Sequence, residues 1–383
     1  MSGIPFNRPS LVGDEVAYLR EAISRGQLSG DGIFTERCSA RIAALTGAGD
    51  ALLTHSCTAA LEMAALLCDL GPGDEVIMPS YTFVSTANAV VLRGAVPVFV
   101  DIDPATLNID PAAAAAAVTE RTRAIFAVHY AGFSADMDAL AEIARAHGLM
   151  LVEDAAQALG STYKGRPCGS LGDMAAFSFH ETKNVISGEG GALTLNRPDL
   201  VDRARIIREK GTNRTQFKLG LTDKYTWVDV GSSFLPGELV ASFMYAQLEM
   251  AEEITARRRS MFETYVDAFA PLAASGRVRL PVTPEHCTGN GHLFYLLMRD
   301  AADRDAFILH MREAGIVAPF HYVPLHSAPA GRRFGRAHGD LPVTDDVAAR
   351  LVRLPLFHAL GADQETVILA AQSYFRAEAR RAA

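Results

Sequence analysis

From about residue 50 onward, short apolar runs alternate with helix-forming segments. The apolar runs read ALLT, EVIM, VPVFV, AIFAVHY and LMLVED, and segments such as AALEMAALLCDL and DMDALAEIARAHG separate them. Strands and helices that alternate at such short intervals predict βαβ units, which build a largely parallel sheet with helices on both faces. Because the apolar runs are nearly continuous, both faces of the sheet are expected to be buried. The sequence therefore predicts an α/β fold.

The alternation ends near residue 250. A long charged helical stretch beginning EEITARRRS follows, and then HLFYLLM, RDAFILHMREAG, IVAPF and a C-terminal helix. A chain of 383 residues is too long for one small core, so two domains are expected. We predict an N-terminal arm and a large domain with a mainly parallel sheet over residues 1–250, and a smaller α+β domain over residues 251–383.

The composition excludes several classes of function. Lys and Arg number 36 against 44 Asp and Glu, and this net charge of −8 without a basic run argues against a nucleic-acid partner. No segment has the apolar length of a signal peptide or of a membrane span, so no membrane partner is expected. The five cysteines form no Cys-x-x-Cys pair, which predicts neither disulfides nor a metal site. A cytoplasmic location with reduced thiols is the expectation.

Polar residues at the carboxyl ends of the predicted strands are the candidates for chemistry, because ligands of open parallel sheets bind there. Asp154 ends the run LMLVED, and Gln157 follows three residues later. Ser178 ends the run MAAFS, and Lys183 lies just beyond it, before the glycine-rich turn GEGG. An aspartate at a strand end is often only a helix cap, and a loop lysine is usually solvated. Each residue alone therefore indicates little.

The segment THSCTAALEM is a second candidate, since it turns from a strand into a helix. Its small residues Cys57 and Thr58 place backbone amides at a helix N-terminus, which is how a phosphate site is built. A cysteine at a helix start could also be a stabilised thiolate. Because no His and Asn are placed for a cysteine hydrolase, we interpret the segment as a phosphate-binding loop.

Taken together, these features meet the requirements of pyridoxal 5'-phosphate (PLP). PLP needs an amine for its Schiff base and a carboxylate that keeps its ring nitrogen protonated. Lys183 and Asp154 supply those groups, and the helix start at Cys57 supplies a phosphate cradle. The glycines after Lys183 would let the backbone approach the cofactor closely.

Five ordered blocks resemble the sugar aminotransferases of the DegT/DnrJ/EryC1/StrS family. They are SCTAALEMAALL, GDEVIMPSYTFVSTANAVVLRGAVPVFVDID, VEDAAQALGSTYKGRPCGSLGD, FSFHETKNVISGEGG and HYVPLH, and the resemblance runs from about residue 4 to residue 375. It implies the aspartate-aminotransferase fold (PLP fold type I). It also implies a homodimer with the active site at the subunit interface.

The resemblance also implies roles for individual residues. Lys183 would be the Schiff-base lysine and Asp154 the partner of the pyridinium nitrogen. The further cofactor contacts implied are Gln157 near the phenolic oxygen, Phe83 stacked on the ring, and Ser178 with the amides of Cys57 and Thr58 at the phosphate.

One block departs from the family pattern. Where many members carry an Asn that reaches the phosphate of the neighbouring subunit, this chain has Ser233 within GSSFLPGE. A serine could still donate its hydroxyl, although its reach is shorter. In the block HYVPLH, Tyr322 and His326 are implied near the nucleotide-sugar site.

Within the family, the blocks are most similar to enzymes that aminate C4 of dTDP-4-keto-6-deoxy-D-glucose with L-glutamate. The products would be dTDP-4-amino-4,6-dideoxy-D-galactose and 2-oxoglutarate, with the galacto configuration implied by resemblance only. One alternative is a nucleotide-sugar dehydratase of the same family, which carries His where the aminotransferases carry Lys. Another is a non-catalytic PLP-binding regulator, and a third is acyl transfer with the same cofactor.

Overall fold

The computed structural model describes residues 3–382, with the side chains of residue 218 and of residues 378–382 outside the description. Two 3₁₀ helices, Tyr130–Gly132 and Leu325–Ser327, accompany the α-helices. The α-helices are α1 (Glu15–Ser24), α2 (Ile33–Thr46), α3 (Cys57–Leu67), α4 (Val84–Val91), α5 (Pro111–Ala116), α6 (Met137–His147), α7 (Pro198–Arg208), α8 (Arg214–Lys218), α9 (Glu238–Glu249), α10 (Ala251–Ala274), α11 (Ala301–Glu313), α12 (Pro329–Phe334), α13 (Pro342–Arg350) and α14 (Asp363–Ala382).

The strands begin with β1, directly before α3. They are β1 (Asp50–Thr54), β2 (Glu75–Pro79), β3 (Val96–Val100), β4 (Thr122–Val128), β5 (Met150–Asp154), β6 (Thr162–Tyr163), β7 (Arg166–Pro167), β8 (Met174–Ser178), β9 (Gly191–Leu195), β10 (Cys287–Thr288), β11 (Phe294–Leu297), β12 (Arg336–Ala337) and β13 (Leu351–Leu354).

Within the described residues, eight strands form one sheet in the order β1-β9-β8-β5-β4-β2-β3-β12. The six strands β8, β5, β4, β2, β3 and β12 pair in parallel with one another, while β9 is antiparallel to both β1 and β8. The prediction of an α/β fold with a mainly parallel sheet is confirmed. The antiparallel β9 follows from the short connection Phe179–Gly190, which reverses the chain without a crossover helix.

Both faces of this sheet are buried, as the continuous apolar runs predicted. In β2, Ile77 packs in one hydrophobic cluster, while Val76 and Met78 pack in another on the opposite face. In β4, Ile125 and Phe126 divide between the same two clusters. Successive side chains of a strand point to opposite faces, so a run apolar at every position requires cover on both sides.

Several helices begin at side chains suited to capping. Ser56 caps α3, Asp110 caps α5, Asp136 caps α6 and Asp300 caps α11, each accepting a hydrogen bond from a backbone amide of the first turn. Such caps satisfy amides that have no partner within the helix. The alanine-rich run around residue 112 is helical, as its helix propensity predicted.

The chain after α9 builds a second, smaller group of elements. Strands β11 and β13 form an antiparallel pair, against which α11 packs. Two short strands of this part reach back, since β12 pairs with β3 at the edge of the large sheet and β10 pairs with β6. The predicted boundary at residue 250 lies between α9 and α10, and the division into two domains stays a prediction.

Among residues 3–382, no helix combines the length and the apolarity that crossing a membrane requires.

Candidate active site

A cleft of about 650 Å³ lies beyond the carboxyl ends of β5 and β8, where β13 forms another part of its wall. The predicted site residues that line this cleft are Cys57, Thr58, Phe83, Asp154, Gln157, Ser178, Lys183 and Tyr322. Parallel strands present their carboxyl ends at one edge of a sheet, and this brings together residues from distant blocks of the sequence.

The N-terminus of α3 forms one side of the cleft. Ser56 caps the helix through its Oγ, which accepts a hydrogen bond from the amide of Ala59 at 3.1 Å. The hydroxyl oxygens of Thr58 and Ser85 lie 2.7 Å apart. The first amides of an α-helix have no acceptor within the helix, so this lining of amides and hydroxyls is suited to an anion.

The glycine-rich turn after Lys183 leads into the strand next to this helix start. Gly191 pairs with Thr54 at the end of β1, and a Cβ on Gly191 would collide with the backbone of Ser56 and Cys57. Gly190 itself lines the cleft. The sequence predicted that these glycines allow a close approach to the cofactor. The structure shows that Gly191 allows a close approach to the backbone at the start of α3.

Asp154 ends β5 with a buried carboxylate. Its Oδ2 accepts a hydrogen bond from the hydroxyl of Thr86 at 2.7 Å, and its Oδ1 accepts one from the amide of Ala156 at 3.2 Å. Burial raises the pKa of Asp154, while these hydrogen bonds and the charge of Lys183 oppose the shift. An anion held in such a place favours a cationic partner in the cleft.

Lys183 lies half-buried at the bottom of the loop between β8 and β9, where its amide donates to the carbonyl of His180. Burial lowers the pKa of Lys183, because the ammonium form is poorly solvated there, and the charge of Asp154 opposes this effect. Burial also raises the pKa of the Cys57 thiol well above its usual value. A neutral thiol argues against the thiolate alternative for Cys57.

Gln157 and Tyr322 are linked across the cleft. The Gln157 Nε2 donates to the Tyr322 hydroxyl at 2.8 Å, and its Oε1 accepts from the amide of Ala131 at 2.8 Å. The ring of Tyr322 is stacked on His321 with 3.7 Å between centroids. Phe83 is 57% exposed in the cleft, so this ring is not a core residue.

Two predicted residues lie elsewhere among the residues that the structure describes. Ser233 is exposed and forms an isolated antiparallel bridge with Glu209, away from the lining of its own chain's cleft. His326 does not line the cleft, and its Nδ1 lies 2.8 Å from the Oγ of Ser80 and its Nε2 3.5 Å from Asp345.

Sequence reasoning missed several residues of the cleft. Thr86, which is buried beside the cleft lining and donates to Asp154, could have been noticed because it lies on α4 three residues after the block SYTF. His292 and Arg353 line the cleft from the chain after residue 250, more than 100 residues from Lys183, and no local pattern marks them. The Nδ1 of His292 lies 3.0 Å from the Oδ1 of Asn184, so it carries the proton of a neutral ring. Burial lowers the pKa of His292 well below its usual value.

His129, Glu153 and Cys168 form a compact buried group of metal-ligating types in the described part of the chain. Glu153 accepts hydrogen bonds from His129 at 2.8 Å and from three backbone amides of the segment 169–172. Burial raises the pKa of the Cys168 thiol well above its usual value. These hydrogen bonds account for both carboxylate oxygens, so the group is explained as part of the core.

Comparison with known proteins places this site in a family. Residues 9–372 match the profile of the DegT/DnrJ/EryC1/StrS aminotransferase family. The chain is 34% identical over 374 residues to the spore coat polysaccharide biosynthesis protein SpsC of Bacillus subtilis strain 168, and the alignment covers 94% of each protein.

Solved structures show the same architecture. The aminotransferase TlmJ from Streptoalloteichus hindustanus superposes with a TM-score of 0.88 and 34% identity, covering 99% of each chain. Spr1654 from Streptococcus pneumoniae, in its PLP form, superposes with a TM-score of 0.87 and 27% identity, covering 97% of this chain and 99% of the other. The chain therefore has the PLP-dependent aminotransferase fold. It belongs to the DegT/DnrJ/EryC1/StrS family and is a PLP-dependent sugar aminotransferase.

Proposed function

We propose that the protein transfers the amino group of L-glutamate to C4 of dTDP-4-keto-6-deoxy-D-glucose, giving dTDP-4-amino-4,6-dideoxy-D-galactose and 2-oxoglutarate. The observation that carries the proposal is that Lys183, Asp154 and the N-terminus of α3 lie together in one cleft. The choice of sugar is supported by the sequence blocks around SYTF, SFHETKN and HYVPLH. SpsC, a relative by sequence, is named for polysaccharide biosynthesis, which accords with a sugar substrate.

The residues of the cleft fit PLP. The first amides of α3 with the hydroxyls of Thr58, Ser85 and Ser178 suit a phosphate, and the volume of about 650 Å³ leaves room for a substrate as well. Asp154 suits a protonated ring nitrogen, and the exposed ring of Phe83 suits a stacking contact. When bound, PLP supplies an electron sink and a temporary carrier of the amino group.

In this proposal Lys183 both binds the cofactor covalently and moves the proton in each half-reaction. Its lowered pKa increases the neutral fraction of the amine, and only that fraction can accept a proton. With PLP bound, the Nζ of Lys183 would accept the α-proton of glutamate as a base and would return it as an acid. One residue therefore serves both halves, and ping-pong kinetics follow.

Asp154 keeps the ring nitrogen of PLP protonated. The hydrogen bonds from Thr86 and Ala156 hold the carboxylate in one orientation, and burial strengthens its attraction for a cation. The side-chain amide of Gln157 is fixed by its hydrogen bonds with Ala131 and Tyr322, and in this proposal it contacts the phenolic oxygen of PLP. In this proposal these residues orient the cofactor and Lys183 carries the proton.

The sugar nucleotide is proposed to enter past Tyr322, with His326 supporting that segment from behind through Ser80. Two copies of the chain are proposed to form a dimer. Ser233, exposed on its own chain, would then contact the phosphate bound by its partner. The short serine side chain makes this contact weaker than one from an asparagine.

Two half-reactions test the proposal. Glutamate alone should remove the visible absorbance of the lysine-bound cofactor and release one 2-oxoglutarate per active site. Addition of dTDP-4-keto-6-deoxyglucose should restore the absorbance, and NMR of the product should show an amine at C4 in the galacto configuration. Borohydride should attach the cofactor to the peptide that contains Lys183.

The alternatives give different outcomes in the same experiment. A dehydratase would return a deoxygenated keto sugar, and a regulator would bind a ligand without releasing a keto acid. Lys183→Ala should bind pyridoxamine phosphate yet release no 2-oxoglutarate in repeated turnovers. Steady glutamate-dependent turnover by this variant would contradict the proposal, as would labelling at Lys164.

A further inference from the structure

The segment 289–292, which reads GNGH and precedes β11, meets the loop that carries Lys183. Its last residue, His292, lines the cleft. The Nδ1 of His292 lies 3.0 Å from the Oδ1 of Asn184, and the Nδ2 of Asn184 donates to the carbonyl of Asn290 at 3.0 Å. Both polar atoms of the Asn184 side chain, in the residue directly after Lys183, are therefore bound by this segment.

These two contacts determine which ring nitrogen of His292 carries the proton. A backbone carbonyl only accepts, so the atom of Asn184 that faces Asn290 is its amide nitrogen and the other atom is its oxygen. That oxygen accepts from the Nδ1 of His292, which leaves Nε2 without a proton in the neutral ring. Burial and three nearby cations hold the pKa of His292 well below its usual value. The ring therefore adds no second positive charge beside Lys183.

The backbone of the segment is held by α10. The buried Arg258 donates from its Nε to the carbonyl of Gly291 at 3.0 Å, and from its Nη2 to the carbonyls of His292 at 2.6 Å and Leu356 at 2.9 Å. Gly291 has a φ of +64°, and a Cβ there would lie 2.6 Å from the carbonyl oxygen of Arg258. The helix thus fixes the backbone of His292, and the ring is carried on an anchored support.

The same segment also binds the loop that follows β5. The Nδ2 of Asn290 donates to the carbonyls of Gln157 at 2.8 Å and Leu159 at 2.9 Å. Gln157 and Lys183 line one cleft, although they lie on loops after different strands, β5 and β8. Because one anchored segment binds both loops, it sets the position of one loop relative to the other.

We propose that His292 is a positioning residue for Lys183, since its Nδ1 donates to Asn184 and so holds the backbone from which the lysine side chain extends into the cleft. This inference rests on the proposed function for the role of Lys183. On the other side of the lysine, its own amide donates to the carbonyl of His180. Proton transfer depends steeply on the placement of the base, and a misplacement of about 1 Å can cost on the order of 100-fold in rate.

The alternative is that His292 acts through its other ring nitrogen, by accepting a hydrogen bond from a hydroxyl of the sugar. Among the side chains that the structure describes, none hydrogen-bonds to that Nε2. The observations favour the role of Nδ1, because its partner is already in place and is covalently next to Lys183. The two roles predict opposite results for two substitutions.

The first test compares substitutions of His292 in the glutamate half-reaction. An asparagine places its amide nitrogen close to the position of a histidine Nδ1, whereas a glutamine places it close to that of Nε2. His292→Leu and His292→Gln should lower the rate at saturating glutamate on the order of 10- to 100-fold with little change in KM. His292→Asn should recover most of the rate. A fast His292→Gln with a slow His292→Asn would overturn the proposal, and so would an effect confined to KM.

Two measurements need no catalysis. The reaction of Lys183 with PLP in the cofactor-free protein, followed by visible absorbance, should be slower in His292→Leu and close to normal in His292→Asn. NMR of ¹⁵N-histidine-labelled protein should show the proton of His292 on Nδ1, and Asn184→Ala should abolish this preference. A wild type with the proton on Nε2 would overturn the proposal. If the wild type performs no glutamate half-reaction, the proposed function is refuted, while these two measurements still decide whether His292 positions Lys183.

A double substitution tests the path through Asn184. In Asn184→Ala the acceptor of the His292 Nδ1 is already absent, so the further change His292→Leu should slow the half-reaction no more. An additional loss would show that His292 acts on something else and would overturn the proposal.

The matched control is His286→Leu. His286 is exposed, lies six residues before His292 and is outside the cleft lining. This variant should leave both the glutamate half-reaction and the reaction with PLP unchanged. A loss equal to that in His292→Leu would indicate a general disturbance of this part of the chain and would overturn the proposal.

Discussion

Asp154 and Glu153 are neighbours on β5, and the alternation of the strand directs their side chains to opposite faces of the sheet. Asp154 faces the cleft and accepts a hydrogen bond from the buried Thr86. Glu153 faces the core, where His129 and the amides of the segment 169–172 bind it. The two neighbouring carboxylates therefore differ in role, because Asp154 faces the cleft and Glu153 is enclosed in the core.

Asp154→Asn should retain the fold and the cofactor but lose most turnover. The asparagine amide keeps the shape of the carboxylate and can still accept a hydrogen bond from Thr86. Because it has no negative charge to hold a proton on the ring nitrogen of PLP, turnover should fall on the order of 100-fold. Thr86→Val keeps the Asp154 carboxylate but removes one hydrogen bond to it, so turnover should fall about tenfold. Release of 2-oxoglutarate in single turnovers measures both. A near-normal kcat in Asp154→Asn would show that the electron-sink role is misassigned.

Glu153→Gln should destabilise the protein by about 3 kcal/mol near neutral pH, because the buried His129 and three amides lose an anionic acceptor. Burial would raise the pKa of Glu153, but His129 and the amides outweigh it and hold the pKa below its usual 4.5. A carboxyl group whose pKa is lower in the folded state than in the unfolded state stabilises the fold fully at any pH above its unfolded-state pKa. This stabilisation is lost as the pH falls through the folded-state pKa.

Urea unfolding measures this contribution. The difference between wild type and Glu153→Gln should be constant down to about pH 4.5 and should shrink below it. Glu120→Gln, at an exposed glutamate, serves as the control and should change stability little at any pH. A difference that grows on acidification would contradict the assigned direction.

At the scale of elements, the position of α3 depends on a strand that pairs beside it. Gly191 begins β9 next to Ser56 and Cys57, and the absence of a side chain lets the helix start approach the sheet. The N-terminus of α3 is thereby fixed at the edge of the cleft.

Gly191→Ala should weaken cofactor binding and destabilise the protein by about 1–3 kcal/mol, because the backbone of Ser56 and Cys57 must shift to admit a methyl group. Equilibrium dialysis of the cofactor and thermal unfolding measure the two effects. Gly71→Ala is the matched control, since a Cβ there would meet only the distant Oδ2 of Asp74, at 3.9 Å. Normal cofactor affinity in Gly191→Ala would show that the loop is positioned by something else.

At the scale of the whole molecule, apolar side chains are exposed along the segment that precedes Ser233. Trp227 is 78% exposed and Leu221 is 74% exposed, although such residues are usually buried. The expected dimer would cover a surface of this kind and bring Ser233 to the partner's cofactor.

Sedimentation should therefore give twice the 41.1 kDa of one chain, and Leu221→Glu with Trp227→Glu should shift the protein toward monomers with weaker cofactor binding. Leu369→Glu, on α14, provides an exposed leucine as control. Ser233→Ala should weaken cofactor binding by a small factor and Ser233→Asn should strengthen it. A monomeric wild type with full activity would contradict the shared site.

The sequence by itself determined the α/β fold and the convergence of three polar residues at one cleft. Continuous apolar runs require cover on both faces, and parallel strands end at one edge, so Asp154, Ser178 and Lys183 had to converge. Only the tertiary structure decided the positions of Arg353 and His292, which enter the cleft from β13 and from the segment before β11. It also decided that His326 contacts Ser80 and does not line the cleft. Periodicity reports which face of an element is buried, whereas the packing of distant elements decides which side chains meet.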